Sequence, residues 1–262
     1  MRHRHNGHIE PTMHTQNVLL NRTAELSPVE RDVLERSISE IKVIPAGHIL
    51  VRQGEEVKVS TLLVEGIMTR HVDTADGHRH LVTVHIPGDF VDLHGYALKR
   101  LDHDVGALTE VRVALFPHAA IERIQDSNVP LTKRLWFCTL LDAALHRQWI
   151  FRLASLTALQ RVAHFICESN ARSLAIGVSD SRRFAFPLTQ ADIGEVCSLS
   201  NVHVNRVLRQ LREARICEVR SGHVEIFDLP RLVSTGLFKP DYLYLNRLTA
   251  RRSAGEDWSS DD

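Results

Sequence analysis

Three things are scarce in this 262-residue chain: paired cysteines, long apolar runs and net charge. The four cysteines are Cys138, Cys167, Cys197 and Cys217. None forms a CxxC pair, and each lies in an apolar-periodic context. That argues against disulfides and against a structural zinc or iron–sulfur site built from these four alone, so buried structural thiols are expected. No apolar run approaches the ~18 residues of a transmembrane helix, so no membrane partner is expected. The first residues, Met1-Arg-His-Arg-His5, lack the apolar core of a secretory signal, which leaves the cytoplasm as the expected compartment. Formal net charge is zero, so the whole chain is not a generic polyanion binder.

What is present is a globular composition, 44% hydrophobic and 24% charged, at a length that suits two ordinary domains. Residues 1–16, with His3, His5, His8 and His14, read as a mobile arm. A helical lead-in follows, with Ser27-Pro28-Val29-Glu30 as a capping box and Val33, Leu34 and Ile38 as its apolar face. From Ile41 to Phe116 short β-rich runs are punctuated by glycine: 41–44, 48–52, 60–65, 67–72, 79–86, 105–109 and 112–116. Many short strands at near-regular spacing predict a β-roll or barrel.

Ile121–Ile124 reads as a helical turn, and Asn128-Val-Pro130 as an interruption. A long helix is then expected over 131–153. One apolar seam is Leu131, Leu135, Cys138, Leu145 and Trp149. A second is Trp136, Leu140, Ala143 and Ile150. A helix that packs both on its own domain and on a partner has this pattern. A further amphipathic helix spans 156–173, and a linker covers 176–183.

The segment Leu188–Arg212 reads as two short helices around a tight turn at Cys197, Ser198 and Leu199. Thr189 and Ser200 are the caps. Ile193 and Val196, then Val204, Val207, Leu208 and Leu211, form the buried faces. The second helix keeps a polar face of Asn201, His203, Asn205, Arg206 and Arg209. Between Ser200 and Arg220 there are five arginines against two glutamates, a surplus suited to phosphates. Ile216–Arg220 and His223–Phe227, around Ser221-Gly222, predict a two-stranded wing. Residues 248–262 read as a disordered tail.

The order of parts resembles the Crp/Fnr family of bacterial transcription regulators over roughly residues 30–235. The pieces that carry it are Pro45-Ala-Gly47 with Gln53-Gly54-Glu55, Val64-Glu-Gly66, Pro87-Gly88-Asp89-Phe90, Leu188-Thr-Gln190 and Leu199-Ser200…Val204-Asn-Arg206-Val-Leu208…Leu211. The resemblance implies an α+β fold. Its parts are an effector β-roll (a double-stranded β-helix, jelly-roll-like) over 17–128, a dimerisation helix over 129–154 and a winged helix-turn-helix over 155–247. It implies a homodimer on palindromic double-stranded DNA, with RNA polymerase as a partner and no enzymatic activity. The expected DNA-binding residues are Thr189, Ser200, Asn201, Val202, His203, Asn205, Arg206 and Arg209. Arg206 stands where the family's base-reading arginine stands, suited to guanine. Well-known members have an acid where Val202 is; valine can touch a thymine methyl instead. Ser198 replaces a common glycine and strains the turn unless it avoids positive φ.

The effector is left open. Members that bind cyclic AMP use Gly-Glu-Leu and then Arg-Ser; here those stretches read Asp92-Leu-His94 and Leu101-Asp102. Cyclic nucleotide binding is therefore disfavoured. The oxygen-sensing iron–sulfur mechanism needs an N-terminal cysteine cluster, and residues 1–30 contain no cysteine. No metal site is assigned. The competing reading is a cupin-like metalloenzyme, or a metal- or haem-dependent sensor, built on His71, His78, His80, His85 and His94. Histidines so close to turns are expected to be mostly solvated.

Overall fold

The computed structural model describes residues 26–245, so the expected arm and tail lie outside the described residues. The chain opens with α1 (Pro28–Arg36). The Ser27 hydroxyl accepts from the Glu30 amide, and the Glu30 carboxylate accepts from the Ser27 amide at 2.7 Å. Seven strands follow: β1 (Glu40–Ile44), β2 (Ile49–Val51), β3 (Val59–Glu65), β4 (Met68–Asp73), β5 (Arg79–His85), β6 (Asp104–Ala107) and β7 (Val111–Pro117). A short helix not expected from the sequence, α2 (Gly95–Leu98), lies between β5 and β6.

These strands form two sheets, ordered β1-β7-β3 and β2-β6-β4-β5, antiparallel throughout. The period of two explains how they pack. Leu63, Val113 and Leu115 join Val51, Met68 and Val105 in a core between the sheets. Their neighbours Leu62, Val64, Ala114 and Phe116 point the other way, into a second core with Leu34, Ile121, Ile124, Leu131 and Leu135. The β1-β7-β3 sheet is thus covered on both faces. Gly66 turns β3 into β4 at φ +86°, and a Cβ there would lie 2.4 Å from the Glu110 carbonyl oxygen.

The expected helical turn at 121–124 is a full helix, α3 (His118–Ser127). The long helix α4 (Val129–Ser155) starts two residues earlier than expected. Asn128 is its N-cap and Pro130 falls in the first turn, where proline's missing N–H has no partner to lose. Its two seams separate. Leu131, Leu135, Leu145 and Trp149 are buried, whereas Trp136, Leu140 and Ile150 are 64–68% exposed.

Next come α5 (Ala158–Ala175), β8 (Arg183–Ala185), α6 (Gln190–Cys197), α7 (Asn201–Glu213), β9 (Cys217–Arg220), β10 (His223–Ile226) and α8 (Leu229–Gly236). A 3-10 turn at Pro240–Leu243 closes the described chain. The wing has three strands, not two. β8 begins at the end of the expected linker and pairs with β10 through Ala185, Phe184 and Arg183. Its signal, Arg-Phe-Ala, is too short to show a period, and only the partner strand defines it.

Candidate nucleic-acid interface

Helix α6 begins at a reciprocal cap. The Thr189 hydroxyl accepts from the Asp192 amide at 3.1 Å and donates to the Asp192 carboxylate, which also accepts from the Thr189 amide at 2.9 Å. Ile193 and Val196 are buried, as the spacing predicts. Cys197 belongs to the helix, so the turn is Ser198, Leu199 and Ser200. Ser198 does take the left-handed conformation, φ 53° and ψ 53°, so the strain anticipated at this serine is present. The small residue the turn requires is Gly194. A Cβ there would meet the Leu199 carbonyl oxygen at 2.6 Å, and the Leu199 amide donates back to Gly194 at 2.8 Å.

Ser200 caps α7 loosely, accepting from the His203 amide at 3.4 Å. Val204, Val207 and Leu211 are buried. The opposite face presents Asn201, Val202, His203, Asn205, Arg206 and Arg209, all exposed. Asn205 donates to the Gln190 side chain at 3.4 Å, and Arg209 lies 4.0 Å from Glu213. Val202 is 78% exposed, an apolar side chain offered to solvent in the middle of the polar face. The sequence-predicted residues therefore gather on one surface. Thr189 is exposed as well, with its hydroxyl engaged in the cap of α6.

Sequence reasoning missed the arginines that tie α6, α5 and α4 to the β-roll. Arg79 on β5 donates to Asp192 at 2.8 Å and to both oxygens of Glu195 at 3.0 and 3.1 Å. Arg172 on α5 donates to the Val84 carbonyl at 3.0 Å and to Asp89 at 2.6 Å. Arg70 on β4 reaches the Val91 carbonyl at 2.8 Å and Asp142 of α4 at 2.7 Å. Arg79 and its partners are more than a hundred residues apart in sequence, and no local period announces the pairing.

The roll interior also differs from expectation. His71 and His85 are buried and His94 is half-buried, against the expectation of solvated histidines. Of the five candidate histidines, only His78 and His80 are exposed, as expected of turn-proximal rings. His85 Nδ1 faces Asp89 at 3.5 Å. His94 packs against His103 with ring centroids 5.4 Å apart and the rings tilted by 42°. Burial first, then the Arg70 charge, pulls His94 down to about 4. His94 also lines a cavity of about 310 Å³ with Leu93, Tyr96, Leu135 and Trp136. Asp92 is fully buried and accepts from the Thr61 amide and hydroxyl at 2.5 and 3.0 Å. Burial pushes its carboxyl up to about 6, against those hydrogen bonds and Arg70. The one carboxyl of the Asp92-Leu-His94 stretch is thus already committed to β3.

The cyclic nucleotide-binding domain family matches residues 41–128, and the Crp-like helix-turn-helix domain family matches residues 160–235. The chain is 26% identical over 238 residues to the transcriptional activator protein FnrL of Cereibacter sphaeroides, covering 85% of this chain and 94% of that one. It is 22% identical over 208 residues to the fumarate and nitrate reduction regulatory protein of Vibrio cholerae, covering 79% and 83%. In fold it is similar to FixK2 from Bradyrhizobium japonicum, with a TM-score of 0.69 at 21% identity over 75% of this chain and 96% of that one. No described helix is long and apolar enough to cross a membrane.

Proposed function

The chain belongs to the Crp/Fnr family of DNA-binding transcription regulators, and on that premise we propose that it binds a palindromic promoter site as a homodimer. The observation that carries the reading is the division of α7. One face is buried through Val204, Val207 and Leu211, and the other offers an arginine- and amide-rich surface with no described residue packed over it. A recognition helix lies in the major groove with its N-terminal half on base edges. Arg206 takes a guanine, Asn201 and Asn205 face adenines, and Val202 meets a thymine methyl. His203 and Arg209 flank these contacts. Thr189 and Ser200, at the two helix N-termini, lie where backbone amides meet phosphates.

The exposed seam Trp136, Leu140 and Ile150 on α4 supports pairing of two copies along that helix. Two recognition helices would then address half-sites about 34–36 Å apart. The domain bounds 17–128, 129–154 and 155–247 belong to this proposal. So do the cytoplasmic location, RNA polymerase as the partner and the absence of an enzymatic role.

The test is fluorescence anisotropy on a site defined by footprinting. Arg206→Ala should weaken specific binding by about 1–3 kcal/mol per half-site and relax the preference at one base pair in each half. A variant that binds the specific site as tightly and as selectively as the parent refutes the base-reading role. A uniform loss with a shallower salt slope would reassign Arg206 to a phosphate.

A further inference from the structure

Three side chains in the roll come together outside every contact described so far. His71 and Asp73 sit two apart on β4, so they share one face of the sheet. Asp104 of β6 is the register partner of His71 on that face. Their ligand atoms lie within 4.8 Å of one another, and among the described residues they are the one such group of three. Of the five histidines suggested by the sequence, His71 alone belongs to this group.

His71 is the telling member. Its side chain is only 8% exposed, and its Nε2 is 3.6 Å from the Asp104 carboxylate, beyond hydrogen-bond range. Its other nitrogen, Nδ1, is buried without a partner. A buried imidazole nitrogen without a partner costs free energy that a cation bound at that nitrogen would recover. Asp104 is held ready for such a role, since its second oxygen accepts from the Gln53 amide at 2.6 Å. A ligating carboxylate is commonly braced in this way. Asp73 is exposed, so its side chain has room to swing inward.

We propose that His71, Asp73 and Asp104 form a binding site for a divalent first-row transition metal. One imidazole nitrogen and two carboxylates suit zinc, iron or manganese, and no thiolate is present to select softer ions. Three protein ligands leave positions for water. The site lies beside the clamp that holds the helix-turn-helix, because Asp73 is the register partner of Arg79 across β4 and β5.

The test is isothermal titration of Zn²⁺, and separately of Mn²⁺, into the full-length chain. His3, His5, His8 and His14 are changed to glutamine so that they do not compete. One ion per chain is expected. His71→Ala and Asp73→Asn should each weaken binding by about tenfold or more, since losing even an outer-shell partner costs roughly 10–100-fold. Asp73→Asn alters an exposed side chain, so it decides the matter even where His71→Ala fails to fold. No saturable binding of either ion, or binding that Asp73→Asn leaves unchanged, overturns the proposal.

Discussion

Replacing Arg172 with methionine should destabilise the protein by about 3–5 kcal/mol, the usual cost of leaving one member of a buried ion pair alone. The side chain is 3% exposed. Its guanidinium ties α5 to the roll at Val84 and Asp89 and lies 3.8 Å from Glu168. Glu168 is fully buried. It would keep the Trp149 indole at 3.0 Å and the Tyr242 hydroxyl at 2.8 Å but lose the Arg172 charge. Methionine replaces the aliphatic stem and none of the donors. In a chain of this size each kcal/mol moves Tm by roughly 2–4 °C, so a fall of about 6–20 °C is expected. Urea unfolding followed by tryptophan fluorescence, together with calorimetry, gives the measurement. Adding Glu168→Gln removes the stranded charge, and the double variant should recover at least ~1 kcal/mol of the single loss. A loss below about 1 kcal/mol in Arg172→Met, or strictly additive effects in the pair, would refute the account of this junction.

Asp92→Asn tests the buried carboxyl. Its folded value of about 6 stands above the ordinary 3.8, so the folded state binds the proton more tightly and stability falls as pH rises from about 4 to 6. The variant should be more stable than the parent above that window, by up to about 3 kcal/mol, with the difference vanishing near pH 4 in melts across pH. Ser198→Gly relieves a left-handed serine and should raise stability by about 1 kcal/mol in urea unfolding; no gain would mean the turn holds serine without strain. Ile150→Glu changes a residue 68% exposed in the protomer, so the fold should survive. Dimer dissociation measured by sedimentation should rise about 100-fold or more, as two charges enter one interface. An unchanged dimer would place the interface elsewhere.

The recognition helix was legible because its information is local. A cap, a run of apolar residues at three- and four-residue spacing and a leftover polar face all lie within Ser200–Glu213. The strands of the roll were legible for the same reason, through alternation and glycine turns. The long helix showed two apolar seams in sequence, but only packing decided that Leu145 and Trp149 go inward while Leu140 and Ile150 stay out. A period reports that a face is apolar and says nothing of what covers it.

Strand β8 and the arginine clamps were not legible, because each is defined by a partner far along the chain. Arg79 reads as one charge among many until β5 lies against α6. His71 is one histidine of sixteen until β6 brings Asp104 opposite it. The sequence by itself determined the kinds of element, their order and the chemistry of the exposed α7 face, since these depend on residues within a few turns of one another. The tertiary structure alone decided which charges are buried, which ones join the roll to the DNA-reading unit, and where three ligands converge. Those properties depend on distances through space, which the chain sets only when it folds.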